Sequence, residues 1–128
     1  MTPESADCLS KARESLDDAI AALSLALARI AAREAYVAAF QAAQAYIFER
    51  SGKGAKTHRG VRAEFGRLAQ NDPRIGPELM VFLGTAYKHK ENADYAVGAA
   101  FKRPTPDEAA KLVDEAFRFV EAVEAALS

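Results

Sequence analysis

Hydrophobic residues in this chain return at steps of three and four, and nowhere do they alternate with a period of two over a useful length. Such a chain buries one face of each helix and offers no strand from which to build a sheet. Alanine sharpens the constraint, because it supplies 29 of the 64 hydrophobic residues and is the strongest helix former. At 128 residues the chain is long enough for a real core and too short for two, so one helical domain over residues 1–128 is expected.

The punctuation places the helices. Thr2-Pro3 is a cap followed by proline at the first helical position, and it opens a helix carrying Ala12, Leu16, Ala19, Ile20, Leu23 and Leu27. That helix bends or ends near Ser24, where the alanine-rich text gives no strong stop. A second helix of about 22 residues carries Ile30, Arg33, Tyr36, Val37, Phe40, Gln44 and Ile47 and stops at Ser51-Gly52. The connection Gly52–Ala55 leads to Thr57, a cap for a third helix with Val61, Phe65 and Leu68 that Asn71-Asp72-Pro73 terminates. A fourth starts near Gly76-Pro77 and runs through Leu79, Phe82, Leu83, Ala86 and Tyr87 towards Tyr95. Thr105-Pro106-Asp107-Glu108 has the form of a capping box and launches the last helix, with a stripe of Ala109, Leu112, Val113, Ala116, Phe117, Val120, Val123 and Leu127. Long amphipathic helices on short connections predict an all-α, up-and-down antiparallel bundle of four to five helices.

Net charge is −1, which excludes a general polycation, but the charge is unevenly spread. Residues 1–49 sum to −3, residues 50–103 to +6 and residues 104–128 to −4. Arg50, Lys53, Lys56, Arg59 and Arg62 fall within thirteen residues that contain no carboxylate. A local anionic partner is the sharper reading of that run, and a solvated helix start is the blander one.

Catalytic candidates are few. The sequence contains no His/Cys/acid cluster at metal-ligand spacing, no dinucleotide fingerprint and no serine elbow, so no metal or cofactor is expected. The stretch GKGAKT at residues 52–57 lacks both the spacing of a phosphate loop and a preceding strand. His58 falls in the first turn of the third helix, where it caps, packs or touches a phosphate. His89 lies between Lys88 and Lys90. On a helix Lys88, Glu91, Asn92 and Tyr95 share one face, and Tyr87, Lys90 and Asp94 form the adjacent stripe. The lone Cys8, the lack of a secretory leader pattern and the lack of a long apolar run predict a soluble protein of the cytoplasm with no membrane association.

Three segments in order, Arg33 with Tyr36 and Phe40, Lys56-Thr57-His58-Arg59-Gly60-Val61, and Ala93-Asp94-Tyr95, resemble the HEPN superfamily (higher eukaryotes and prokaryotes nucleotide-binding) in its small stand-alone bacterial branch. The likeness covers roughly residues 28–127. It implies a helical bundle that forms homodimers, whose active members cleave RNA without metal, often as the toxin beside a minimal nucleotidyltransferase antitoxin. In those members an arginine followed about five positions later by histidine builds a site across the dimer. Here Lys90 holds the arginine place and Tyr95 the histidine place. Lysine lacks the planar fork that grips phosphate, and tyrosine is a poor base at neutral pH.

Two uses of these residues follow. As a binding module, the protein holds nucleotide, RNA or a nucleotidyltransferase partner on Lys56, His58, Arg59, Lys88 and Asn92, with its nuclease motif degenerate. As a ribonuclease, it uses Lys90, Tyr95 and His89 at a dimer cleft, although His89 stands about 100° round the helix from Lys90. A third, purely structural reading makes Arg33, Tyr36 and Asp94 a polar network between the second and fourth helices, with Arg33 paired to Asp94.

Overall fold

A computed structural model describes residues 1–95, 97, 98 and 103–128, without the side chains of Ala93 and Tyr95. Within them lie five helices: α1 (Pro3–Ser24), α2 (Ala28–Ser51), α3 (His58–Ala69), α4 (Pro77–Tyr95) and α5 (Pro106–Leu127). No strand occurs among the described residues.

The caps act where local chemistry puts them. Thr2 Oγ1 accepts from the Ser5 amide at 3.1 Å, and Thr57 Oγ1 accepts from the Gly60 amide at 2.9 Å. The Thr105–Glu108 box is closed in both directions. Gly52 ends α2 in the left-handed region at φ +82°, its amide donating to the Phe48 carbonyl. The α1–α2 turn differs, because non-glycine Ala26 takes φ +59° and Leu27 caps α2 without a side-chain hydrogen bond.

α2 is the centre of the bundle, in contact with all four other helices. Its composition explains the position: Ala31, Ala32, Ala35, Ala38, Ala39, Ala42, Ala43 and Ala45 are all buried, and such small side chains let neighbouring helices approach on every side. The buried Ser5 hydroxyl donates to the Ala45 carbonyl at 3.1 Å and fixes the start of α1 against the end of α2. Arg13 ties α1 to α5 through Glu121 at 3.0 Å and Glu124.

Two expectations about apolar faces are corrected. On α5 the buried ring belongs to Phe119, stacked between Phe65 (5.3 Å) and Phe82 (6.1 Å), while Phe117 is 42% exposed beneath Arg13. Residues 117 and 119 flank the same stripe on opposite sides, and the position of the two partner rings, not the periodicity, chooses between them. On α1 and α2, Ile20 and Ile30 are exposed because they sit beside the narrow Ala/Leu face rather than on it.

Asp72 organises the α3–α4 connection. Its nearly buried carboxylate accepts from the Arg74 amide at 3.0 Å, from Arg74 Nε at 3.1 Å and from the Tyr46 hydroxyl at 2.8 Å, with Arg50 at 3.8 Å. The Arg74 amide, followed by its guanidinium, pulls the Asp72 pKa down to about 2 from 3.8. A depressed carboxylate pKa contributes stability above the unfolded value that is lost as pH falls through the folded one. The stability gap between the native protein and Asp72→Asn is therefore expected to be about 1 kcal/mol or more above pH 4. It is expected to close as the pH approaches 2, measured by urea unfolding at several pH values. A gap independent of pH would contradict the assignment.

Candidate functional site

The site forms where the start of α3 meets α2 and α4. The α2–α3 loop is fixed by Gln44, whose amide donates to the Ala55 carbonyl at 2.8 Å and accepts from the Ala55 amide at 3.2 Å. Gly54 lies so close to the Phe48 ring that an added Cβ would stand 2.7 Å from it, so any larger residue would have to displace that ring. Thr57 then caps α3, and the first residue of that helix, His58, turns inward.

His58 sits among three rings: Phe40 at 4.8 Å, Tyr87 at 5.5 Å and Tyr36 at 5.6 Å between centroids. Tyr36 Oη lies 2.6 Å from His58 Nδ1. Burial pushes the Tyr36 pKa well above its ordinary value, so the phenol keeps its proton. Burial, then the charges of Lys90 and Arg62, push the His58 pKa below 6.5, with Glu91 opposing them weakly. The Tyr36 hydroxyl therefore engages one nitrogen of a ring that tends to be neutral, and leaves the Nε2 edge of His58 turned away from it.

Cations surround the imidazole. Arg62 stacks over the Tyr87 ring at 4.3 Å, and its buried Nε has no hydrogen-bond partner among the described residues. The Tyr87 hydroxyl donates to Glu91 one turn on. Lys90, whose side chain is only 13% exposed, pairs with Asp94 at 3.0 Å, and Arg33 Nε approaches the other oxygen of Asp94 at 3.6 Å. Lys56 and Arg59 stand exposed at the α3 start, whose free amides and helix dipole also favour negative charge.

The expected site residues therefore divide. Lys90, His58, Tyr36, Arg33 and Asp94 converge, and Lys56 and Arg59 flank them on the outside. His89 does not join Lys90. It lines a separate cleft of about 280 Å³ with Lys88, Asn92, Arg103, Pro104 and Glu108, on the α5 side of α4. The Tyr95 side chain lies outside the described residues. Sequence reasoning passed over Arg62 as a site residue, Tyr87 as its platform and Gln44 as the loop brace. Arg62 had a signal, since it lies four residues, one helical turn, after His58. Among the described residues no three His, Cys, Asp or Glu side chains cluster to hold a metal, and no helix is long and apolar enough to cross a membrane.

The arrangement makes a specific expectation for titration. The His58 midpoint is expected below 6.5 in histidine-detected NMR. Lys90→Met removes a cation from its surroundings and is expected to move the midpoint upward. A midpoint indifferent to Lys90 would contradict the placement of Lys90 beside His58.

The search of curated proteins finds no match to the chain. The sequence model of the HEPN domain matches residues 5–126, nearly all of it, and takes in every helix described above. Five helices on a central alanine-rich α2 accord with the bundle of that family, and the chain belongs to the HEPN domain family.

Proposed function

We propose that this HEPN protein is a nucleotide- or RNA-binding module whose nuclease motif no longer works. Family membership supports a nucleotide- or RNA-related role in general. The observation that carries the finer reading is the Tyr36–His58 hydrogen bond. It commits the imidazole Nδ1 to a phenol, so that nitrogen does not serve a substrate. Metal-independent cleavage needs a group that removes the 2′-hydroxyl proton, and a tyrosine in the histidine place of the motif is a poor base at neutral pH. A ring flanked by Lys90, Arg62, Lys56 and Arg59 suits holding a phosphodiester. Lys90 is in turn held by Asp94, so it supplies fixed charge rather than a mobile acid. In this reading the protein works as a homodimer, and a minimal nucleotidyltransferase encoded beside it is the protein partner expected.

Binding is tested by fluorescence anisotropy with a generic single-stranded RNA over a salt series, with the same RNA run on a gel for cleavage. Intact RNA and salt-sensitive binding are expected. In Lys56→Ala/Arg59→Ala the slope of log K against log salt should fall by about 1.4, from two lost phosphate contacts. Cleavage that disappears in Lys90→Ala would replace this reading with an active ribonuclease, and salt-insensitive binding would remove the phosphate contacts from it.

A further inference from the structure

The end of the bundle formed by the α1–α2 turn has no part in the face just described, and its chemistry is different. The turn reads Leu25-Ala26-Leu27, with no polar residue where turns usually have them. Leu25 is 69% exposed, and Ile20, Leu27 and Ile30 beside it are exposed as well. Two local costs gather at the same point. Ala26 occupies the left-handed region, which glycine would take without strain, and Leu27 stands at a cap position where serine or aspartate would satisfy an α2 amide. Strain, an absent cap and exposed aliphatic surface in three consecutive residues are what a binding tip needs and a bare turn does not.

Next to this tip lies a cleft of about 280 Å³ lined by Ala26, Leu27, Ala28, Arg29, Ile30, Arg103 and Pro104. Arg103 and Pro104 also line the cleft that holds Lys88 and His89, so the two adjoin. Each is near the lower bound for a small-molecule site and suits large side chains better than a cofactor. The apolar floor thus has a rim of Arg29, Arg103 and Lys88, while Asp94 faces Lys90 and Arg33 and Glu108 closes the α5 cap.

We propose that this end docks an acidic, apolar segment of a partner protein, its leucine-like side chains on Leu25, Leu27 and Ile30 and its carboxylates against Arg29 and Lys88. Charge complementarity selects the acidic partner. Single-stranded RNA fits less well, because it stacks on aromatic rings and this tip is aliphatic. An anionic bilayer fits less well, because the aliphatic residues line a cleft rather than a flat face.

The test is an amide NMR titration of the full chain with a synthetic helical peptide carrying leucines at i, i+3 and i+7 flanked by glutamates. A twin peptide with lysine in place of glutamate serves as the control. Shifts centred on residues 25–30 are expected for the acidic peptide alone, weakened about tenfold in Arg29→Glu. They should be abolished in Leu25→Asp, a site too exposed for the change to disturb the core, with folding checked by circular dichroism. RNA affinity should be unchanged in both variants, so failure here and failure of RNA binding are read separately. Shifts elsewhere, equal binding of the two peptides, the same shifts from phosphatidylserine vesicles, or self-association lost in Leu25→Asp without a response to peptide would each overturn the proposal.

Discussion

Phe119→Ala is expected to cost about 3–5 kcal/mol of folding stability, and Phe117→Ala about 1 kcal/mol or less. The two rings sit two residues apart on one helix and differ only in what surrounds them. Phe119 is fully buried, with Phe65 on one side and Phe82 on the other, so its removal leaves a cavity bounded by α3, α4 and α5. Three helices anchored at both ends cannot all collapse into that space. Phe117 loses only partial burial and a guanidinium 5.8 Å above its ring, a contact on the order of 0.5 kcal/mol at an exposed site. Urea unfolding of the two variants measures the difference directly. Equal losses would mean that α5 is rotated about its axis from the orientation described.

The second large effect is expected in the opposite sense, from adding volume. Ala38→Leu should destabilise by about 1–3 kcal/mol or more, whereas Ala21→Leu on the exposed side of α1 should stay within about 0.5 kcal/mol. Ala38 is fully buried on the helix that every other helix touches. A leucine there must push α1 away from α2 or take up a strained rotamer. The Ser5–Ala45 hydrogen bond and the Arg13–Glu124 pair, which depend on the present separation, would be disturbed with it. Thermal melts followed at 222 nm compare the two variants. A neutral Ala38→Leu would show that the alanines of α2 are filler rather than the condition for close helix approach.

The sequence was most readable where a residue acts on its immediate neighbours. Thr2, Thr57 and the Thr105–Glu108 box cap the helices they were expected to open, since the cap needs only the next three amides. Lys90 and Asp94 lie four apart on one helix, and their contact is equally local. The divergence of His89 from Lys90 follows from about 100° per residue. What could not be read depends on the path of the chain. Tyr36 and His58 are 22 residues apart, and whether they meet is decided by how the α2–α3 loop returns. Asp72, expected only as part of a helix stop, gathers Tyr46, Arg50 and Arg74 because three elements end near it. Periodicity alone admits Phe117 to the α5 stripe and leaves Phe119 outside it, because it defines a stripe and leaves its edges to the neighbours.

The two hydrogen bonds between Gln44 and Ala55 have a kinetic consequence. Ordering a free loop costs about 1–2 kcal/mol per residue in backbone entropy, and a ligand that must do so loses that much affinity. Here the side chain of α2 holds the loop at Ala55 as the protein folds. Under the proposed binding role, an anion captured by Lys56, His58 and Arg59 would not have to order this loop. The rate of capture would then be set by the electrostatic encounter, with ionic strength acting on how often the complex forms more than on how long it lasts.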